Sequence, residues 1–254
     1  MPGMNALEFT GLTKRFGDKL AVDGVDLRVP AGSFYGVVGP NGAGKTTTLT
    51  MGVGLLRPTS GGSRVFGVDV WERREEAMEL LGVLPDSMSV PERLTGRELL
   101  RYIGRLRGLD RRVVAERSEE LLDVLGLAGD ERTLVVDYST GMRKKILLAT
   151  ALLHGPRVLV LDEPFEAVDP VSGATIRGIL NDFVAGGGSV VLSSHVMALV
   201  ENLCDRVAIV HAGRVVADGT LDEVRADGSL EDRFIDLVGA ERVAVRTLSW
   251  LGER

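Results

Sequence analysis

Short apolar runs alternate along the chain with segments of helical periodicity, a pattern that predicts an α/β fold with a mostly parallel sheet. Three runs are almost continuously apolar, as expected for strands buried on both faces, and they cover residues 34–39, 157–164 and 189–194. The first thirty residues instead alternate apolar and polar positions, which predicts a more exposed antiparallel section. Beyond Val207 the segment VAIVHAGRVVADGT predicts a hairpin that turns at Ala212 and Gly213.

The strand pattern disappears between residues 85 and 138. Two segments there, 95–109 and 112–127, carry leucine and isoleucine at spacings of three and four residues, which is typical of amphipathic helices. We therefore expect a helical subdomain, at about residues 86–156, inserted into the α/β core. A short helical tail is predicted for residues 226–254.

The amino-acid composition excludes several classes of function. The net charge of -6 and the sequence pI near 5.3 argue against a nucleic-acid binder that works by charge neutralisation. The one cysteine, Cys204, excludes an internal disulfide, and its apolar neighbours predict a small buried side chain. No apolar run approaches the ~18–20 residues that span a bilayer, and the first residues do not resemble a signal peptide, so we expect a soluble protein.

The segment VVGPNGAGKTTT carries the strongest chemical signal. Gly39, Gly44, Lys45 and Thr46 match G-x-x-x-x-G-K-[ST], between an apolar strand and a helical run. Glycines let the backbone wrap around phosphate oxygens, and amides at a helix N-terminus point at the anion. Lys45 would reach the β- and γ-phosphates, and the Thr46 hydroxyl would complete a Mg²⁺ shell. The loop indicates a nucleoside triphosphate, but small-molecule kinases, GTPases and motor ATPases all share it.

Two further strand ends carry candidate chemistry. In VLVLDEP, Asp162 could hold Mg²⁺ through water, and Glu163 could orient or deprotonate an attacking water. His195 ends the segment SVVLSSH; it either caps that strand or, if the strand lies beside the other two, faces the same γ-phosphate, which we favour. The remaining histidines, His154 and His211, are predicted to be structural. No N-K-x-D motif for guanine recognition occurs.

Read in order, the phosphate loop, a helical insertion, YSTGMRKK, VLVLDEP, EAVD and SSH resemble the ATP-binding subunit of an ABC transporter. The resemblance covers residues 5–225. It implies a two-lobed ATPase, with ATP and Mg²⁺ as cofactors, that forms a head-to-tail dimer around two ATP molecules. The second subunit would be another copy or a paralogue, and a separate transmembrane permease would hold the ATPase at the cytoplasmic face of the membrane.

The resemblance also assigns roles to residues. Phe16 would stack on adenine, Glu163 would be the general base, and His195 would sense the γ-phosphate. Ser139 and Gly141 would contact the γ-phosphate bound to the partner subunit, although Ser139 could equally be a helix cap, and both can hold. Asp162 and Thr46 would support Mg²⁺. The phosphate loop itself would comprise Gly39, Pro40, Asn41, Gly42, Ala43, Gly44, Lys45, Thr46 and Thr47.

Several positions depart from the family pattern. Tyr138, Thr140 and Met142 replace the usual signature residues, and Glu166 replaces a serine of the coupling loop. The glutamine that touches Mg²⁺ and the membrane partner is Asp86 here. A carboxylate can still bind Mg²⁺, so Asp86 is a candidate metal ligand, and its alternative role is that of a turn former after a proline.

The signature, the coupling loop and Asp86 resemble ATPases that work with separate export permeases, and the short segment after Thr220 also favours export over import. Two alternatives remain. The first, a soluble ABC-type ATPase of translation or repair, is disfavoured by the single phosphate loop and the lack of sustained heptads. The second, a regulatory module without turnover, is disfavoured by the intact Lys45, Glu163 and His195.

The inserted segment carries Arg97, Arg101 and Arg105 at four-residue spacing, and hence on one helix face. This face is either solvated and salt-bridged or turned towards anionic lipid headgroups or acidic loops of a permease.

Overall fold

A computed structural model of the chain describes residues 3–86 and 88–238, which form two sheets with helices around them. The first sheet is antiparallel throughout, as the alternating pattern of the first thirty residues predicts. Its spatial order is β2-β1-β4-β5. Its strands are β1 (Asn5–Phe16), β2 (Lys19–Pro30), β4 (Ser60–Val65) and β5 (Val68–Asp69).

The second sheet holds the three strongly apolar strands. Its members are β3 (Phe34–Val38), β6 (Leu81–Leu84), β7 (Val158–Asp162), β8 (Ser189–Ser194), β9 (Arg206–His211) and β10 (Arg214–Thr220). The spatial order is β10-β9-β3-β8-β7-β6, parallel except for β10. The β9–β10 hairpin turns at Ala212 and Gly213, as predicted. Their φ angles of 48° and 79° are the two positive values that a tight two-residue turn requires.

Helices follow the strands and fill the interval between β6 and β7. In chain order they are α1 (Lys45–Gly52), α2 (Arg74–Leu80), α3 (Gly96–Leu106), α4 (Arg111–Val124), α5 (Thr140–Leu152), α6 (Pro170–Ala185), α7 (Met197–Leu203), α8 (Leu221–Arg225) and α9 (Leu230–Val238). Within residues 3–86 and 88–238, none of them is long and apolar enough to cross a bilayer.

The two predicted helices of the inserted segment are α3 and α4, and each begins at a capped residue. Thr95 and Glu98 form a capping box at α3, and the Asp110 carboxylate accepts from the first amides of α4. In the predicted tail, α9 is present, while residues 239–254 lie outside the described part of the chain.

The arginine face of α3 is partly neutralised within the protein. The Arg97 guanidinium pairs with Glu119 at 2.6 Å and with Glu131 at 2.8 Å. For Arg97, these contacts favour the solvated, salt-bridged interpretation over a lipid-facing one.

The core lies on both faces of the parallel sheet, because alternate residues of each strand point to opposite sides. In β7, Leu159 and Leu161 join the cluster under the inserted helices, whereas Val158 and Val160 join the cluster towards the antiparallel sheet. All four are at most 1 % exposed. This two-sided burial explains why the strands of this sheet are continuously apolar in sequence.

The three residues predicted to be structural all make contacts inside the protein. Cys204 is buried, and burial raises the pKa of its thiol. His154 Nε2 lies 3.0 Å from the Leu81 carbonyl oxygen, and burial, with help from Arg107, lowers the pKa of this imidazole to about 4. His211 packs edge-on against Phe234 of α9.

Helix α1, which follows the phosphate loop, ends at a close contact with the antiparallel sheet. A Cβ on Gly52 would lie 2.2 Å from the Phe9 ring. Overpacking of this kind costs about 1–3 kcal/mol, more than the ~1 kcal/mol that alanine gains over glycine in a helix. Gly52→Ala should therefore lower the melting temperature, measured by circular dichroism.

Gly178→Ala is the matched control, because Gly178 lies in α6 and a Cβ there would meet nothing within 4 Å. It should leave the melting temperature unchanged or raise it. Equal behaviour of the two variants would contradict tight packing of α1 on Phe9.

Candidate active site

The phosphate loop connects β3 to α1, and its shape depends on glycines with positive φ, among them Gly44. Gly44 precedes the first residue of α1 with φ 105°, a left-handed conformation that side chains rarely adopt. A Cβ on Gly44 would also lie 2.8 Å from the Ala21 carbonyl oxygen, so β2 leaves no room for one. The loop therefore needs glycine at this position both for its backbone turn and for its packing.

The tip of the β9–β10 hairpin supports the phosphate loop from outside. The Gly213 amide donates to the Ala43 carbonyl oxygen at 2.8 Å, and the Gly213 carbonyl accepts from the Asp23 amide at 2.9 Å. The Arg214 guanidinium pairs with the Asp23 carboxylate at the same point. The sequence predicts the hairpin turn but carries no signal for this contact, which joins residues far apart in the chain.

A cavity of about 620 Å³ opens above the loop. Phe16, 49 % exposed, contributes an aromatic ring to its wall, as expected for a side chain that stacks on a nucleobase. Thr46, Thr47, Asp86 and Glu163 also face the cavity. The start of β2, the β9–β10 turn and the segment after β7 contribute the lining residues that sequence analysis missed: Lys19, Leu20, Ala21, Glu166, Ala212 and Gly213.

Lys45 is buried at the base of the loop. Its ammonium donates to the Gly39 carbonyl at 2.8 Å and to the Pro40 carbonyl at 3.4 Å, and it lies 3.5 Å from Glu163 Oε1. The side chain is 6 % exposed, and a buried charge of this kind must be paired or hydrogen-bonded. The loop carbonyls and Glu163 supply those partners.

Strand register brings the second and third predicted motifs together. Asp162 of β7 lies opposite Ser193 of β8, and Val38 of β3 lies opposite Ser194. The strands therefore end at one level, and the residues that follow them meet there. His195 Nδ1 lies 3.1 Å from Glu163 Oε2, so the Glu163 carboxylate is held between His195 and Lys45.

Ser193 links the two acidic residues of this edge. Its hydroxyl donates to Asp162 Oδ1 and accepts from the Glu163 amide at 3.0 Å. Asp162 Oδ2 is buried and has no hydrogen-bond partner among the described residues. Mg²⁺ prefers oxygen ligands, and the unpartnered carboxylate oxygen of Asp162 is such a ligand, as is the Thr46 hydroxyl on the cavity wall, so the residues fit this ion.

Ser139 and Gly141 lie away from this cavity, at the N-terminus of α5. The Ser139 hydroxyl accepts from the Met142 amide at 3.2 Å, so its predicted cap role is confirmed. A Cβ on Gly141 would lie 2.6 Å from Asp169 Oδ2, which shows how closely α5 approaches the start of α6. Among the described residues, neither Ser139 nor Gly141 lines the cavity of the same chain.

The sheet order, the phosphate loop and the convergent carboxylates define a P-loop nucleoside triphosphatase with an inserted helical segment. Residues 22–166, more than half of the chain, match the sequence model of the ABC transporter family. The chain belongs to this family, as an ATP-binding subunit with ATPase activity.

Individual relatives agree with this assignment. The daunorubicin resistance ATP-binding protein DrrA3 of Streptomyces coeruleorubidus is 41 % identical over 222 residues, 87 % of this chain and 70 % of that protein. The bacitracin transport ATP-binding protein BcrA of Enterococcus faecalis is 34 % identical over 219 residues, 86 % of this chain and 71 % of its own length. A solved ATP-binding subunit of an ABC transporter superimposes with a TM-score of 0.84 at 29 % identity, covering 92 % of this chain and 99 % of that one.

Ser193 offers a direct test of the site geometry. Ser193→Ala would leave the Glu163 amide and Asp162 Oδ1 without their shared partner, a loss of about 1–3 kcal/mol for a buried group. We expect kcat for ATP hydrolysis to fall about tenfold, as measured by phosphate release.

Ser189→Ala is the control on the same strand. Ser189 is equally buried, and its hydroxyl accepts from the Gly32 amide at 2.9 Å, at the opposite end of β8. It should lower stability while leaving kcat unchanged. A Ser193→Ala variant with the wild-type kcat would show that this hydroxyl does not organise the site.

Proposed function

We propose that this chain powers the export of an antibiotic or other drug-like compound through a separate membrane permease. The observation that carries the proposal is the Glu163 carboxylate, held between Lys45 and His195 beside the phosphate loop. The names of its relatives support the export direction, because they include daunorubicin resistance, bacitracin transport and Nod factor export proteins. The same relatives favour transport over a soluble role in translation or repair and over a regulatory module.

In this proposal ATP binds with its base on Phe16 and its phosphates in the loop of residues 39–47. Lys45 contacts the terminal phosphates and, as a buried cation, favours the charge that builds up there in the transition state. Thr46 and Asp162 would hold Mg²⁺, with Asp86 at the rim of the same cavity. Bound Mg²⁺ would neutralise the phosphate oxygens.

Glu163 then acts as the general base. Its carboxylate accepts a proton from a water in line with the γ-phosphate, while His195 keeps the carboxylate in place and reaches towards the same phosphate. Holding a carboxylate and a water in a fixed geometry removes most of the entropic cost of bringing them together. Glu163 and His195 are positioned by the ends of β7 and β8 rather than by mobile loops.

The second γ-phosphate contact would come from another subunit. Ser139 and Gly141 stand at the N-terminus of α5, where backbone amides and the helix dipole favour an anion. Their separation from the cavity of their own chain supports a head-to-tail dimer in which each cavity is closed by the other α5. The partner would be a second copy or a paralogue.

The dimer and the permease together define the cellular arrangement. Residues 5–225 would form the ATPase unit, with residues 86–156 as its inserted helical part and residues 226–254 as a tail. The permease would hold the ATPase at the cytoplasmic face of the membrane. ATP binding closes the dimer and hydrolysis reopens it, because the closed and open dimers bind the nucleotide with different affinities. This cycle moves the permease between its states.

Glu163→Gln tests the proposal. The amide cannot accept the proton but keeps the size of the side chain, so ATP should bind without turnover. We expect an ATP-dependent dimer, detected by size-exclusion chromatography with light scattering, and a loss of phosphate release of at least about a hundredfold. A monomer that hydrolyses ATP at the wild-type rate would contradict the mechanism.

A further inference from the structure

Helix α5 contacts the end of β7 through a side chain that the proposed mechanism does not use. The Lys144 ammonium donates to the Glu163 backbone carbonyl at 3.0 Å, and the contact is partly shielded from solvent. Lys144 lies two positions beyond Met142, whose amide the Ser139 cap binds. One helix therefore carries both the predicted γ-phosphate contact and a direct bond to Glu163.

The backbone of Glu163 is in a conformation that needs support. Its φ of 45° is left-handed, which is uncommon for a residue with a side chain, and it precedes Pro164. Such conformations persist only where the surroundings hold them. Here the amide donates to Ser193, and the carbonyl accepts from Lys144 and, at 3.2 Å, from the Glu166 amide.

We infer that Lys144 is a positioning residue for the general base. A hydrogen bond from an ammonium group is stronger than one between neutral groups. By holding the backbone carbonyl of Glu163, Lys144 fixes the direction in which the Glu163 side chain projects from the backbone. This direction sets the distances from the Glu163 carboxylate to Lys45 and His195. The inference rests on the proposed function, because it assumes that Glu163 is the base.

A positioning role differs from a merely structural one in its kinetic effect. Lys144 does not line the described cavity, so its loss should leave ATP binding intact and slow only the chemical step. A lysine that only anchors α5 would instead affect stability and leave kcat unchanged.

The experiment compares three variants of the whole chain by steady-state ATPase kinetics and thermal unfolding. Lys144→Met removes the donor and should lower kcat about tenfold, with KM for ATP within about twofold of the wild type. Lys144→Arg keeps a cationic donor and should retain kcat within about twofold. Arg143→Met removes the neighbouring cation, which pairs with Glu92 rather than Glu163, and should leave kcat unchanged.

Three results would overturn the inference: wild-type kcat in Lys144→Met, a raised KM at unchanged kcat, or an equal loss of kcat in Lys144→Arg. If Lys144→Met does not fold, Lys144→Gln, which keeps only a neutral donor, decides the question: a lower kcat at unchanged KM supports the inference, and the wild-type kcat overturns it. Failure of the proposed function looks different, because then Glu163→Gln would hydrolyse ATP as fast as the wild type.

Discussion

The parallel register of β3, β8 and β7 determines where the residues of the active site lie. Because these strands end at one level, the residues that follow them share a small volume: the phosphate loop after β3, Glu163 after β7 and His195 after β8. Shifting any of these strands by one residue would move each of its side chains to the opposite face, into a cluster that is close-packed around different side chains. The core therefore fixes the register, and the register fixes the site.

Around this edge, the charges of Lys45 and Glu163 are balanced by specific neighbours. Lys45 is held by loop carbonyls and Glu163, and Glu163 in turn contacts His195. The strained backbone of Glu163 is tied to β8 through Ser193 and to α5 through Lys144. Since Ser139 caps the N-terminus of α5, a movement of this end towards a bound phosphate would also displace Lys144, which lies on the same helix and contacts Glu163.

Sequence analysis predicted the structural elements that have a local signature in the sequence. The three buried strands, the hairpin at Ala212 and Gly213, and the helices α3 and α4 follow from apolar periodicity and turn chemistry. Strand β4, with the sequence SGGSRV, was not predicted because its glycines and serines resemble a loop; it becomes a strand by pairing with β1. Strand β6 is too short, at four residues, to stand out.

Within the site, the motif residues were predictable and their supports were not. Lys45, Asp162, Glu163 and His195 stand in recognisable sequence contexts. Ser193 and Lys144 act through partners 30 and 19 residues away, and the Gly213 amide reaches Ala43 across the whole fold. Such contacts depend on register and helix packing, which periodicity does not encode.

The central claim is that each site combines Glu163 of one chain with Ser139 of another. It is tested most directly by mixing two inactive variants before ATP is added. Glu163→Gln removes the base, and Ser139→Asp keeps the helix cap while repelling the phosphate. A mixed dimer contains one doubly altered site and one intact site, so the account predicts phosphate release well above the sum of the separate variants. A mixture no more active than that sum would contradict it.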